Sequence, residues 1–191
     1  MRAGNLRVIA PAAALPVSVD DARRHCAVDH ADDDAQIEGF IRAALDWVQP
    51  PIGFLGRSIM RQTLRLDLPC WPYEPLQLPA GPIDAVMSVK YFDPDNAEQT
   101  LDEANYFLDE DTLLWTAAFS EPALYLRPGA VRITYTAGYE SADAIPAPIV
   151  LALKMCVAHW YENREIVASQ GELNMIPLGA QDLLAPYRLW A

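Results

Sequence analysis

The hydrophobic period of the chain changes twice along its length, and proline marks both changes. Before Pro50-Pro51, the residues Ile37, Phe40, Ile41, Ala44, Leu45 and Val48 recur at the spacing that puts them on one face of a helix. The proline pair ends that run, because a residue preceding proline is driven out of the helical region. Leu64, Leu66 and Leu68 then alternate with Thr63, Arg65 and Asp67, and Val131, Ile133 and Tyr135 alternate with Arg132, Thr134 and Thr136. That period of two belongs to half-buried strands. From Pro146 the helical reading returns and runs to about Glu165, with Pro146 or Pro148 acceptable in a first turn. The fold class expected is therefore α+β and mainly α: a helical bundle of the pair 17–49 and the helix 147–165, a small antiparallel β region, and extended termini.

Local signals fill in this outline. Residues 1–16 read as an extended arm rich in alanine and proline. Ser18 is placed to cap the amide of Asp21, and Asp20 and Asp21 suit the positively polarised first turn of a short helix over about 19–28. The run Asp29-His30-Ala31-Asp32-Asp33-Asp34 is a break followed by a second helix start. The stretch from Pro69 to Pro82 contains five prolines, both ends included, which force an irregular or edge-like path. Ile83 to Phe92 is a second strand, Asp93-Pro94-Asp95-Asn96 a turn, and Tyr106–Leu108, Leu113–Trp115 and Ala123–Leu126 are short β-prone pieces. The chain divides on this reading into an arm (1–16), a main domain (17–167, with the helical pair 17–50, a β-rich section 59–140 and the helix 147–167) and a tail (168–191). That tail still holds Leu173, Met175, Ile176, Leu178, Leu183, Leu184, Tyr187, Leu189 and Trp190, too apolar to stay undocked in water. Pro177, Gly179 and Pro186 prevent it from being one long helix.

Charge excludes one large class of function. The 14 basic residues face 26 acidic ones for a net charge of −12, and a single lysine, Lys90, precedes residue 150. A protein that grips nucleic acid gains affinity by neutralising phosphates, so stable, sequence-specific DNA or RNA binding is not expected. Cys26, Cys70 and Cys156 are odd in number and far apart, with no CxxC spacing, which points to free thiols in a reducing compartment. Asn5, Arg7 and Pro11 interrupt any signal-peptide core. The longest apolar stretch, 145–157, is broken by Pro146, Pro148 and Lys154 and is too short to span a bilayer. Synthesis in the cytoplasm, a soluble chain and no membrane partner are expected.

Each grouping that suggests chemistry has a plainer explanation. Asp32, Asp33 and Asp34 offer clustered carboxylates to a hard cation, but the ligand spacing of a calcium loop is missing and helix capping explains them. His25 adjoins Cys26, yet adjacent helical residues point apart. His159, Glu162 and Asn163 share a helical face, where hydrogen bonding at a helix end accounts for them. Glycine-rich phosphate loops, the nucleophile-elbow motif and HExxH are absent from the sequence. No catalytic residue, metal ligand or cofactor is expected.

Residues 131–165 carry a longer pattern: Val131-Arg-Ile-Thr-Tyr-Thr-Ala-Gly-Tyr139, then Ile145-Pro146, then an apolar helix ending Ala158-His-Trp-Tyr-Glu-Asn-Arg-Glu165. It is preceded by the helical pair with its aspartate-rich break, by Leu78-Pro79, Pro82-Ile83, Val86, Ser88-Val89 and Tyr91, and by Tyr106, Leu108 and Trp115. Over about 17–167 this resembles the head–tail connector (adaptor) family of long-tailed phages and gene transfer agents. The resemblance implies a non-enzymatic particle protein that forms a ring, usually of twelve copies, between the portal protein of the DNA-filled head and the stopper or tail proteins. DNA would pass through its channel without specific binding. Two other readings stay open at this level: a stopper or tail-terminator protein of the same particle, or a small enzyme or binding protein. For attachment to the portal, the tail supplies the expected contact residues Leu183, Leu184, Tyr187, Arg188, Leu189 and Trp190, because aromatic and arginine side chains dominate binding hot spots.

Overall fold

The computed structural model describes residues 4–50, 53–163 and 176–189. The chain forms two compact units, one from Met1–Ala13 and Arg61–Gly138, the other from Ala14–Met60 and Tyr139–Ala191.

The first unit is entirely β among its described residues apart from one 3-10 turn at Glu103–Asn105. Its strands are β1 (Asn5–Ala10), β2 (Gln62–Leu68), β3 (Leu76–Gln77), β4 (Ile83–Phe92), β5 (Glu98–Thr100), β6 (Tyr106–Asp109), β7 (Thr112–Trp115) and β8 (Val131–Ala137). Five of them make an antiparallel sheet in the order β1-β2-β8-β4-β5, and three make a second in the order β3-β7-β6. Strand β8 lies at the centre of the larger sheet, and its alternation is complete: Val131, Ile133, Tyr135 and Ala137 are buried, while Arg132, Thr134 and Thr136 are half-exposed on the other face. Register passes this alternation to β2, where Leu64, Leu66 and Leu68 stand opposite Tyr135, Ile133 and Val131. These side chains form one core with Leu76, Leu78, Tyr106 and Leu113. Trp71 closes the core with tilted and edge-on contacts to Tyr91, Trp115 and Phe119, and its indole N–H donates to the Pro122 carbonyl at 2.9 Å.

The proline-rich stretch is pinned rather than loose. Its buried Tyr135 neighbour donates its hydroxyl to the Pro79 carbonyl at 2.9 Å. Asp111 accepts the Leu78 amide on its carbonyl and the Ile83 amide on its carboxylate, at 2.8 and 2.7 Å. A Cβ on Gly81 would stand 2.3 Å from that carboxylate, so glycine is required there by close approach.

The second unit holds the described α-helices: α1 (Val19–His25), α2 (Asp34–Val48), α3 (Ala147–Glu162) and α4 (Leu178–Leu184). Ser18 Oγ accepts the Asp21 amide at 3.1 Å, as its position before two aspartates predicts. On α2 the apolar stripe Ile37, Ile41, Ala44, Leu45 and Val48 is buried. It packs against α3, which buries Ile149, Ala152, Leu153, Cys156 and Val157, and α4 packs on α3 in turn.

The mainly helical expectation is overturned. Among the described residues the four α-helices are matched by eight strands in two antiparallel sheets, so the molecule is a balanced α+β structure and not a helical bundle with a minor β appendage. Three segments account for the difference. Residues 5–10, expected as an extended arm, are an edge strand paired with β2. The proline-rich stretch contributes β3, and residues 98–100 pair with β4 as β5, while the pieces expected as β-prone at 106–108 and 113–115 form the hairpin of the second sheet. In the other direction, Ala123–Leu126 is not a strand, although the Tyr125 amide donates to the Phe92 carbonyl at 2.9 Å.

Candidate assembly interface

The apolar tail singled out by the sequence is described from Ile176 to Leu189. Pro177 precedes α4, and Pro186 turns its end into a 3-10 turn over Ala185–Tyr187. Of the six expected contact residues, Leu184 is fully buried in its own unit, as is Ala180 one turn earlier. Leu183 and Tyr187 are half-buried. The Arg188 guanidinium stands over the Phe54 ring at 4.9 Å, and Phe54 itself stacks on Trp47 at 5.1 Å. Leu189 donates its amide to the Leu55 carbonyl at 2.8 Å, while 41% of the residue remains exposed. Trp190 lies outside the described residues.

A glycine makes this return path possible. Gly56 has φ +64°, and a Cβ added there would stand 3.0 Å from the Leu189 carbonyl oxygen. Both the left-handed backbone and the close approach favour glycine at this one position. The outcome is a split tail. Leu184 anchors it inward, whereas Leu189 and Leu178, the latter 60% exposed, present apolar surface outward. On α3, Leu151 adds another outward apolar side chain at 44% exposure. Sequence periodicity missed it, because α3 is apolar on nearly every side and gives no clue to which face the unit leaves open.

The groupings weighed for chemistry make structural contacts. Asp33 sits at the start of α2 without capping it; its carboxylate accepts the Tyr161 hydroxyl of α3 at 2.5 Å. Asp34 pairs with Arg23 of α1 at 3.4 Å. The aspartate run thus ties three helices together, a correction to the simple capping explanation that only tertiary contacts reveal. Among the described residues no group of three or more His, Cys, Asp or Glu side chains has metal-binding geometry. Burial, then the Glu162 charge, pushes the Cys26 thiol upward, away from the thiolate form. Asn163 donates its side-chain amide to the His159 carbonyl at 2.8 Å, closing the end of α3. No described helix is long and apolar enough to cross a membrane.

The comparisons with known proteins agree with one another. Residues 17–176 match the profile of a family described as head completion protein. Among solved structures, a chain in the neck of an empty GTA particle computed with C6 symmetry superposes with a TM-score of 0.75 at 22% identity, covering 98% of this chain and 96% of that one. A chain in the virion of a native gene transfer agent (GTA) particle gives 0.76 at 22% identity, with 97% and 96% covered. A third, in the neck of a native GTA particle computed with C12 symmetry, gives 0.68 at 22% identity, with 98% and 96% covered. No curated protein matches the chain. With most of its length inside one family profile and its fold shared end to end with particle proteins, the chain belongs to the head completion protein family.

Proposed function

We propose that the protein is a head–tail connector, or adaptor, in the neck of a phage-like particle. It completes the DNA-filled head by forming a ring at the head exit, and it joins that head to the tail. The observation that carries this is the family match over residues 17–176, supported by a fold shared over 98% of the chain with a protein of a particle neck. The role is structural and not enzymatic. Its immediate neighbours are a portal protein above, stopper or tail proteins below, and copies of itself, twelve in the full ring. A net charge of −12 suits a channel through which DNA passes without being held.

Attachment on the head side uses Leu183, Tyr187, Arg188 and Leu189 of the C-terminal segment, together with Trp190, which lies outside the described residues. Leu184 serves the fold instead, since it is fully buried. The test is to image particles from producing cells with and without the protein. Cells lacking it should accumulate full heads and free tails, and labelled protein should sit as one ring at the head–tail junction. A single copy per particle, or label scattered over the capsid, would overturn the connector reading.

A further inference from the structure

The outer face of the five-stranded sheet concentrates charge in a way that folding alone disfavours. Register sets Arg7 of β1 directly opposite Arg65 of β2, and like charges facing each other across an antiparallel pair are destabilising. One carboxylate, Asp67, stands between them, 3.3 Å from Arg7 and 2.8 Å from Arg65. Arg132 of β8 lies opposite Asp67 in register and reaches Glu98 at 3.0 Å, where Lys90 also binds at 3.0 Å. Arg127 arrives from the loop before β8, stacked 4.0 Å over the Phe92 ring. Together Arg7, Arg65, Asp67, Arg127 and Arg132 line a groove of about 560 Å³. Four guanidinium groups therefore meet two carboxylates, and Arg132 Nε is buried without a hydrogen-bond partner. In a chain of net charge −12, this groove is built to take a carboxylate from outside.

The flank of the groove narrows the partner class. Pro69, Pro128 and Leu126, the last 96% exposed, form an apolar wall beside Arg127. Arginine framed by apolar surface is the composition of a protein interface, and phosphate contact needs no such wall. The complement is present in the same unit. Asp109 and Glu110 form the exposed tip of the β6–β7 hairpin, and Glu110 is held there at φ +51°. Asp111 of that turn binds the amide of Ile83, whose strand partner is Ala137 at the end of β8. The arginine groove lies at the other end, where Val131 pairs with Leu68 and Arg132 with Asp67. The acidic turn thus lies toward the Ala137 end of β8, while Arg127 and Arg132 lie toward its Val131 end, about five residues or roughly 17 Å along the strand at the usual rise.

We infer that the arginine groove of one copy receives the Asp109–Glu110 turn of the next copy. A donor patch and an acceptor patch on different ends of one unit make a heterologous contact, which propagates from copy to copy and closes when the rotation permits. This rests on the ring reading above, and the two fail separately.

The experiment measures self-association of the full-length protein at low ionic strength and up to about 1 mM, the local concentration that a templated ring produces. Wild type should associate, and salt should weaken that association. Arg127→Glu and Glu110→Arg should each weaken it by about tenfold or more, since close charge pairs across interfaces carry that much coupling. The double variant, and equally a one-to-one mixture of the two single variants, should recover it, because each mixture partner then offers the other an opposite charge. Recovery of that kind has no explanation in a merely structural role. The inference is overturned if wild type stays monomeric, if Glu110→Arg changes nothing, or if a short DNA duplex binds the groove and Arg127→Glu abolishes that binding while self-association is unmoved. In each of these cases the ring reading still stands if imaging finds a ring at the neck.

Discussion

Glu98 accepts a hydrogen bond from the Lys90 ammonium, and that bond, reinforced by Arg132, holds its carboxyl below the ordinary carboxylate range. A depressed folded-state pKa contributes stability above the unfolded pKa, and this contribution is lost as pH falls through the depressed value. The melting temperature of wild type should therefore exceed that of Glu98→Gln at neutral pH, and the gap should close below about pH 4. A gap independent of pH would mean the glutamate acts only by its shape. The cysteines separate by the same logic of environment. Burial pushes the Cys156 thiol up to about 11, while Cys70 is exposed. A thiol reagent at neutral pH should label Cys70 in the folded protein and reach Cys156 only on unfolding. Equal labelling of the two would show that α3 is not packed as described.

At the scale of the element, α2 is the clearest test of the helical unit. Ile41 is 1% exposed on the stripe facing α3. Ile41→Asp would bury a carboxylate without a partner, at a cost of several kcal/mol unless the group takes up a proton. A chemical denaturation midpoint equal to that of wild type would refute the packing. This helix was legible in the sequence because its apolar residues are dense, local and bounded by proline. Strand β8 was legible for the matching reason, a clean alternation over seven residues. What the sequence hid is pairing between distant segments. Asn5–Ala10 becomes a strand only because β2 offers an edge some sixty residues later, and its register breaks between Val8 and Ala10. Leu76–Gln77 is two residues long and owes its strand character to β7. The bulges of β4 between Ile83 and Ala85 and between Val86 and Ser88 blur its alternation in the same way. Among the proposed contact residues, apolar content marked the tail as needing to dock but could not sort Leu184, buried, from Leu189, exposed, because both lie in a segment whose direction is set by Gly56 and Leu55.

For the whole molecule, the split tail predicts two different failures. Leu184→Asp should unfold the helical unit, because its side chain is fully enclosed. Leu189→Asp should leave the melting temperature within about 0.5 kcal/mol equivalent of wild type, since the residue is tied by its backbone, yet particles carrying it should show heads without tails. Normal particle yield from Leu189→Asp would move the head-side contact elsewhere. The division of the chain has a further consequence, one of timing. The β unit is built from residues up to Gly138, whereas the helical unit needs Ala14–Met60 together with residues from Tyr139 onward, and its enclosed Ala180 and Leu184 come late. During synthesis the β unit has all its strands while the helical unit still waits for α3 and α4. The apolar stripe of α2 must then spend most of translation without its partner, open to chaperones and to other nascent chains. A contact that seals the helical core only when α4 emerges makes the enclosure of Ala180 and Leu184 a late event of folding.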